Sequence, residues 1–309
     1  MCGMGDAQAQ RNTVGAAYAV GAYLMWGFFP VYWKALSHVS ALEVLFHRML
    51  WSMLLLAGLI TALRRWPQAL AVMTAPRQVL LLTATTSLLA VNWLLFIWAV
   101  NDGHVLETSL GYFINPLVNV VLGVIFLGER LRRWQAAAVL LAAAGVLVLT
   151  LATGTPPWIA LALAGTFGVY GLLRKMSPVE PVTGLLVETG LLAPVALGYL
   201  AWTHAGGGGA LGNDGWTDAL LVLGGAVTAA PLLLFAAAAR RLRYATLGLF
   251  QYIAPSLHFM LAVAVYGEPL RPAHLVTFAC IWAALALYAG ESWLQSRKPV
   301  ETVETVRSG

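Results

Sequence analysis

The sequence predicts an all-α polytopic membrane protein, with ten transmembrane helices arranged as two inverted five-helix repeats. Three observations predict this class: the composition, the length of the apolar runs, and a motif that occurs twice. The 309 residues are 60% hydrophobic and 10% charged, whereas soluble domains carry about 25% charged residues. A large core cannot account for this deficit, because the surface of a soluble protein must still face water. The composition therefore excludes an ordinary soluble domain.

Ten apolar runs are long enough to cross a bilayer, since a hydrocarbon core about 30 Å thick needs about 20 helical residues. The runs are too long for barrel strands of about 9–11 residues, and they do not alternate in polarity. Most connections are short, which makes neighbouring helices antiparallel. The glycine-rich connection 203–215 is the longest, and it separates no soluble domain. In chain order, the predicted spans are 15–36, 41–63, 78–100, 107–127, 134–152, 158–175, 182–202, 217–239, 245–266 and 273–293.

The placement of Lys and Arg predicts the orientation, because cytoplasmic span ends are enriched in positive charge. With a cytoplasmic N-terminus, fifteen Lys and Arg residues lie on the cytoplasmic side and only Arg271 lies opposite. Lys34 and Arg48 fall within or beside spans. We therefore expect both termini inside the cell, and the net charge of +5 requires no nucleic-acid partner. The fifteen are Arg11, Arg64, Arg65, Arg77, Arg130, Arg132, Arg133, Arg174, Lys175, Arg240, Arg241, Arg243, Arg297, Lys298 and Arg307.

The two halves of the chain echo each other. Asn115-Pro116 is followed after eleven residues by the letters GERL, and Ala254-Pro255 is followed after eleven residues by GEPL. The halves, 12–152 and 156–293, therefore read as two copies of five helices each, followed by a disordered cytoplasmic tail at 294–309. Because five is odd, the second copy enters the membrane from the opposite side. Inverted repeats are typical of secondary transporters, which bind substrate near the midplane between the halves.

Ionisable residues inside spans mark candidate binding positions, because they are costly in a bilayer and usually face the bundle interior. Glu43, His47 and Arg48 lie in the second span, and Glu188 lies in the seventh. One interpretation is a polar cavity that binds substrate. The other is a structural ion pair, in which Arg48 pairs with one of the two carboxylates and lowers the cost of both.

Uncharged polar residues extend this candidate site over three more spans. Each either lines the cavity or acts as packing glue, since interhelical hydrogen bonds of this kind average only about 0.6 kcal/mol. Pro116 and Pro255 each free a backbone carbonyl one turn earlier, so they are either a matched pair of hinges or ordinary transmembrane prolines. The substrate-binding candidates of this group are Asn92, Tyr112, Asn115, Gln251 and His258.

No metal, cofactor or enzymatic chemistry is expected. Cys2 and Cys280 are isolated, without CxxC or zinc-ligand spacing. The sequence also lacks HExxH for zinc, GxSxG for a serine nucleophile, and paired aspartates for prenyl-phosphate chemistry. These absences disfavour an intramembrane enzyme.

Several motifs resemble the EamA branch of the drug/metabolite transporter superfamily, over about 12–293. This resemblance implies an inner-membrane transporter of ten helices that works by alternating access around a central cavity. It also implies a small-molecule substrate, such as an amino acid, another metabolite or chloramphenicol. Single-repeat relatives couple export to protons through a glutamate in their first helix, but this chain has no acidic residue between Asp6 and Glu43. The motifs are AYLMWGFFPVYWK (22–34), EVLFHRMLWS (43–52), NWLLFIWAVN (92–101), TSLGYFINPLVNVVLGVIFLGERLRR (108–133), YGLLRK (170–175) and TLGLFQYIAPSL (246–257).

Transport of a small molecule is thus the leading hypothesis, and ten helices in two repeats are sufficient for a monomer. The alternative is a membrane sensor or assembly subunit that binds a small ligand without moving it. Duplication with inversion favours transport, because moving a solute requires two sides that exchange roles.

Overall fold

The computed structural model describes residues 3–128, 133–239, 241–242 and 250–296, with side chains at 10, 12–128, 133–239, 241–242 and 250–290. Within these ranges the protein is helical and contains no strand. A π-helical segment, Leu261–Val265, continues directly from the short helix Ile253–Met260. The helices are α1 (Gly3–Gly27), α2 (Phe29–Ala35), α3 (Ala41–Ala62), α4 (Trp66–Met73), α5 (Pro76–Asn101), α6 (Val105–Leu127), α7 (Arg133–Thr153), α8 (Trp158–Met176), α9 (Pro181–Ala205), α10 (Gly215–Ala239), α11 (Ile253–Met260) and α12 (Pro272–Ser296).

Nine stretches of the described residues are long and apolar enough to cross a membrane. They correspond to all the predicted spans except the ninth, 245–266. That span begins outside the described residues, and within them it consists of α11 and the π-helical segment, over 253–265. Most of the predicted tail at 294–309 also lies outside the described residues, after the end of α12 at Ser296.

Two local features differ from the predicted spans. The first span is interrupted at Phe28, and Pro30 lies in the first turn of α2. Proline is tolerated there because first-turn N–H groups have no partner within the helix. The connection after α3 contains the short helix α4, which buries Ala69 and Val72. Its short apolar face packs against α5 and α9.

The principal packing contacts join the two halves of the chain. Helix α7 packs on α12, α6 on α8 and α11, α3 on α9 and α10, α1 on α10 and α11, and α5 on α8. Small residues permit close approach at these contacts: Gly225 lies against Trp51 and Ser52, and the Thr277 hydroxyl donates to the Gly145 carbonyl at 2.8 Å. The halves therefore form one interleaved bundle.

The duplicated motif has the same backbone geometry where its two glycines occur. Gly128 follows α6 with a φ of 66°, and Gly267 follows the π-helical segment with a φ of 64°. Glycine adopts this left-handed conformation without the steric penalty of a Cβ atom, which makes it a common helix terminator. The motif thus ends a helix in both halves of the chain.

Candidate functional site

Arg48 lies two turns into α3 and is enclosed by aromatic rings. The hydroxyl of Ser40 starts this helix by accepting the backbone N–H of Glu43 at 3.2 Å. The Arg48 side chain is buried, and its guanidinium carbon lies 3.7 Å from the ring centre of Trp93 and 5.0 Å from that of Trp33. Phe29 adds a third ring at 5.7 Å. Helices α2, α3 and α5 therefore converge on one buried cation.

The structural ion pair, one of the two interpretations of Arg48 from the sequence, is not formed within the described part of the chain. There, Glu43 pairs with His47 and Glu188 pairs with Arg174, and no carboxylate lies within 4.0 Å of Arg48. Its Nε and Nη1 have no hydrogen-bond partner among the described residues. Taking an ion out of water costs several kcal/mol, whereas a desolvated cation–π contact contributes about 2 kcal/mol. The aromatic rings therefore compensate only part of the burial.

Tyr112 and His258 extend this cluster towards the second half of the chain. Their ring centres are 5.7 Å apart, and Phe96 packs on both rings. The Nε2 atom of His258 lies 3.1 Å from the carbonyl oxygen of Trp26. The structure thus brings together Arg48, Tyr112 and His258, which lie on three different predicted spans. We define the central cluster as Arg48, Trp33, Trp93, Phe96, Tyr112 and His258.

Asn115 Oδ1 on α6 and His258 Nδ1 on α11 are buried polar atoms without a partner among the described residues, as is Glu107 Oε2 in the first turn of α6. Asn115 lies almost one turn after Tyr112 on α6. Gln251, another predicted site residue, lies in the turn before α11 and is only half-buried. Asn115 and His258 therefore keep capacity for a further hydrogen bond.

Glu43 and His47 form a separate group at the beginning of α3. The Glu43 carboxylate accepts the backbone N–H of Ala210 at 2.7 Å and lies 3.9 Å from His47 Nε2. Both residues line a cavity of about 570 Å³ between α3 and α9, whose other walls are mainly apolar and include the exposed Leu54 and Leu197. Glu43 and His47 thus line this cavity, whereas Arg48 lies in the central cluster, although all three are close in the sequence.

Glu188 has partners that sequence reasoning missed. Its Oε1 accepts from the Thr85 hydroxyl at 2.6 Å and lies 3.8 Å from Arg174 Nε, while the Tyr170 side chain also interacts with the carboxylate. Gly184 makes room for Arg174, since a Cβ at this position would clash with the guanidinium nitrogens. The sequence places Arg174 at the cytoplasmic surface, and its position near the end of the sixth predicted span gives no other signal.

Asn92 is the predicted site residue whose amide is most clearly used in packing. Its Nδ2 donates to the Leu163 carbonyl at 3.0 Å and to the Thr166 hydroxyl at 2.8 Å. Asn92 therefore joins α5 to α8, in agreement with the packing alternative.

The two predicted hinge prolines occupy different environments. Pro116 lies inside the continuous helix α6, whereas Pro255 lies in the first turn of α11, after the turn at 251–252. The Pro255 carbonyl accepts the Ser109 hydroxyl of α6 at 2.8 Å. The two copies of the motif therefore lie in direct contact, with one copy continuous and the other interrupted.

One end of the bundle is joined by two charged side chains. Lys34 Nζ donates to the carbonyls of Val100 and Asn101, both at 3.1 Å, at the end of α5. The Glu268 carboxylate accepts the N–H groups of Val105 and Leu106, at 2.7 and 2.8 Å, at the start of α6. We call this the Lys34–Glu268 end. The two hydrogen bonds accepted by Glu268 fasten the α11–α12 connection to α6.

Burial raises the pKa of the Glu268 carboxyl above its ordinary value. The two backbone N–H groups and the nearby His104 and Lys34 act in the opposite direction without overcoming burial. Glu268 therefore takes up a proton more readily in this closed arrangement than it would in water.

The comparisons with known proteins identify the class. Residues 13–151 match the EamA-like transporter family. An uncharacterized transporter from Vibrio cholerae is 50% identical over 276 residues, covering 89% of this chain and 91% of the relative. The RarD protein of Escherichia coli K12 is 47% identical over 291 residues, covering 94% and 98%. A solved crystal structure with 20% sequence identity superposes with a TM-score of 0.58 and covers 93% of this chain and 100% of its own, which shows a shared fold.

Apolar spans and buried polar clusters together define a multi-pass membrane protein. The chain belongs to the EamA-like transporter family and is closely similar to the RarD proteins within it. It is therefore a membrane transporter, which agrees with the leading hypothesis from the sequence.

Proposed function

We propose that the protein moves a small molecule across the bacterial inner membrane by alternating access, with the central cluster as its binding site. The observation that carries the site assignment is the buried Arg48, whose Nε and Nη1 have no partner among the described residues. A permanent buried cation without a counter-ion destabilises a protein, unless a ligand supplies the missing contacts. In membrane proteins, such residues commonly mark substrate pathways.

Three observations support two inverted repeats, 12–152 and 156–293, as the moving parts. The family match over 13–151 coincides with the first repeat. The principal helix contacts run between the halves, as expected when two repeats enclose a shared site. The glycines of the duplicated motif also share one backbone conformation.

The difference between α6 and α11 supports alternation between two states. Inverted repeats that exchange conformations differ from each other in any one state. Here α6 is continuous across Pro116, whereas α11 is preceded by a turn and followed by a π-helical segment. In our proposal the interruption moves between the two copies, and Pro116 and Pro255 are the hinges.

With both termini in the cytoplasm, the Lys34–Glu268 end faces outward. The contacts at this end then close the outer entrance over the central cluster. A second contact, between the exposed side chains of Arg65 and Glu180 at 2.5 Å, lies at the opposite end. Because the Lys34–Glu268 contacts cover the outer entrance, we assign this conformation as closed to the outside.

The test is solute flux in proteoliposomes, measured for wild-type protein and for Arg48→Ala, Asn115→Ala and Arg77→Ala. Arg77 is exposed at the start of α5 and serves as the matched arginine control. We expect flux in the wild type and in Arg77→Ala, and a strong reduction in the other two variants. Unchanged flux in both site variants would refute the site assignment, and ligand binding without any flux would favour a sensor.

A further inference from the structure

We infer that the carried molecule is a monoanion bearing a carboxylate, and that Arg48 is its counter-ion. This inference rests on the proposed transport function and names the substrate class of the same site. It follows from how Arg48 differs from the other buried charged side chains, from the number of charges in the cluster, and from the rings around it.

Other buried or half-buried charged groups have at least one polar partner, although Glu188 Oε2 and Arg174 Nη1 also have none among the described residues. Glu188 has Thr85 and Arg174, Glu43 has the Ala210 N–H, and Lys34 has two backbone carbonyls. Arg48 is covered on its flat face by Trp93, but two of its nitrogens have no acceptor among the described residues. The missing group is therefore a hydrogen-bond acceptor, and negative charge makes that acceptor most favourable.

The charge count favours one negative charge over two. Arg48 is the one Lys or Arg in the central cluster, and Tyr32, whose ring packs on Trp33, adds no positive charge. The Tyr32 hydroxyl is already engaged by the Leu220 carbonyl. A carboxylate is neutralised by one guanidinium, whereas a phosphate dianion would leave a net buried charge. The site therefore suits a carboxylate better than a phosphate ester.

The aromatic rings of the cluster suit a planar or apolar remainder of the substrate. Trp93 and Trp33 lie against Arg48, and Phe96, Tyr112 and His258 continue the aromatic surface towards α11. Aromatic walls with a few placed polar groups are typical of small-molecule sites. The unpartnered Asn115 Oδ1 and His258 Nδ1 offer contacts to a polar substituent. The inferred ligand is thus an aromatic or similarly flat carboxylate.

Paired probes test this inference on the purified full-length protein. The pairs are benzoate with benzamide, and indole-3-acetate with its amide, which differ in charge but hardly in shape. We expect wild-type protein to bind each carboxylate about tenfold or more tightly than its amide, since hydrogen bonds to charged groups are stronger than neutral ones. Arg48→Gln removes this preference, while Arg77→Gln keeps it. Arg48→Lys keeps part of it, because lysine retains the charge but not the stacked plane.

The inference is overturned if amides bind as tightly as carboxylates, if no probe of the panel binds, or if the preference survives in Arg48→Gln. The wild-type comparison alone decides the matter should Arg48→Gln fail to fold. Flux of labelled benzoate separates the two claims. A carboxylate preference without flux refutes transport but supports the ligand class. Flux of neutral solutes without a carboxylate preference supports transport but refutes the ligand class.

Discussion

Two arginines enter the helical bundle, and they are compensated in different ways. Arg174 lies near the end of α8 with a side chain 13% exposed, and its Nε is 3.8 Å from the carboxylate of Glu188. Arg48 lies two turns into α3, stacked on Trp93, with no carboxylate within reach among the described residues. The first arginine completes a pair within the protein. The second has two nitrogens without a partner among the described residues, and in our proposal a ligand supplies that partner.

Glu188 and Arg48 occupy equivalent positions in two helices that pack together. Each is seven residues after the first residue of its helix, α9 or α3, or about 10 Å along the axis at 1.5 Å per residue. Phe46 meets Tyr199, while Leu56 and Leu185 share one apolar cluster, so the two helices are antiparallel. The two charges therefore lie at different depths, which explains why they do not pair.

Breaking the internal pair is expected to have the largest effect on stability. Glu188→Gln leaves Arg174 without its carboxylate, and removing one partner of a buried pair costs about 3–5 kcal/mol. Because Arg174 is partly exposed, we expect the lower part of that range, measured as a fall in Tm of the purified protein. The double variant Glu188→Gln, Arg174→Gln should recover part of the loss. A loss in the double variant equal to the sum of the losses in Glu188→Gln and Arg174→Gln would show that the pair has no coupling.

Removing the unpaired arginine should have the opposite signature. Replacing a buried ion with an apolar side chain of similar length is often neutral or stabilising, so Arg48→Met is expected to retain the wild-type Tm within the equivalent of about 1 kcal/mol. The same variant should lose flux. A large fall in Tm, comparable with that of Glu188→Gln, would mean that Arg48 is structural, and the comparison between the two arginines would fail.

The Lys34–Glu268 end provides a pH-dependent test of access to Arg48. The pKa of Glu268 is raised by burial in the closed arrangement, so closing the end takes up protons. Closure is therefore fully favoured below the ordinary value of 4.5 and loses this contribution as the pH rises through the raised pKa. Lys34, His104, Glu107 and Tyr266 carry the other titratable groups facing this site.

Hydrogen exchange at Val105 and Leu106 measures this opening, because both N–H groups donate to Glu268. After correction for the intrinsic rate, protection should decline with rising pH in the wild type. In Glu268→Gln the decline should be much weaker, since the group that titrates is gone. A steady or increasing protection in the wild type would contradict proton uptake on closure.

The smallest effect is expected for a third arginine, Arg65, which pairs with Glu180 at the exposed opposite end. Exposed salt bridges typically contribute about 0–1 kcal/mol because water and salt screen them. Glu180→Gln should therefore change Tm only slightly, and the change should shrink further at high salt. A fall in Tm as large as that of Glu188→Gln would show that burial does not determine how much each ion pair stabilises the protein.

The spans could be predicted because the bilayer requires helices of about 20 apolar residues, and runs of that length are visible in the sequence. Nine predicted spans appear within the described residues. The break at Phe28 and the short helix α4 were not predicted, since both depend on local packing. Pro30 indicates a disturbance of the first helix, but a proline alone does not show whether the helix bends or ends and begins again.

The burial of several predicted site residues could be predicted from the sequence, but their partners could not, and their binding role remains a proposal. Burial of Arg48, Asn115, Glu188 and His258 follows from their positions in apolar spans. The partner of Glu188 was missed because Arg174 looks like an ordinary positive charge at a span end, and only the three-dimensional approach of α8 to α9 and α5 reveals the pair. The alternative in which Arg48 pairs with a carboxylate could not be decided from the sequence, since spacing along a chain does not fix depth across helices.

Uptake of labelled benzoate into proteoliposomes tests the central claim most directly, with Arg48→Gln and Arg77→Gln measured beside the wild type. We predict uptake in the wild type and in Arg77→Gln, and about ten- to a hundredfold less in Arg48→Gln, as expected for the loss of one charged hydrogen-bonding partner. Equal uptake in all three proteins would contradict the assignment of Arg48 as the substrate counter-ion.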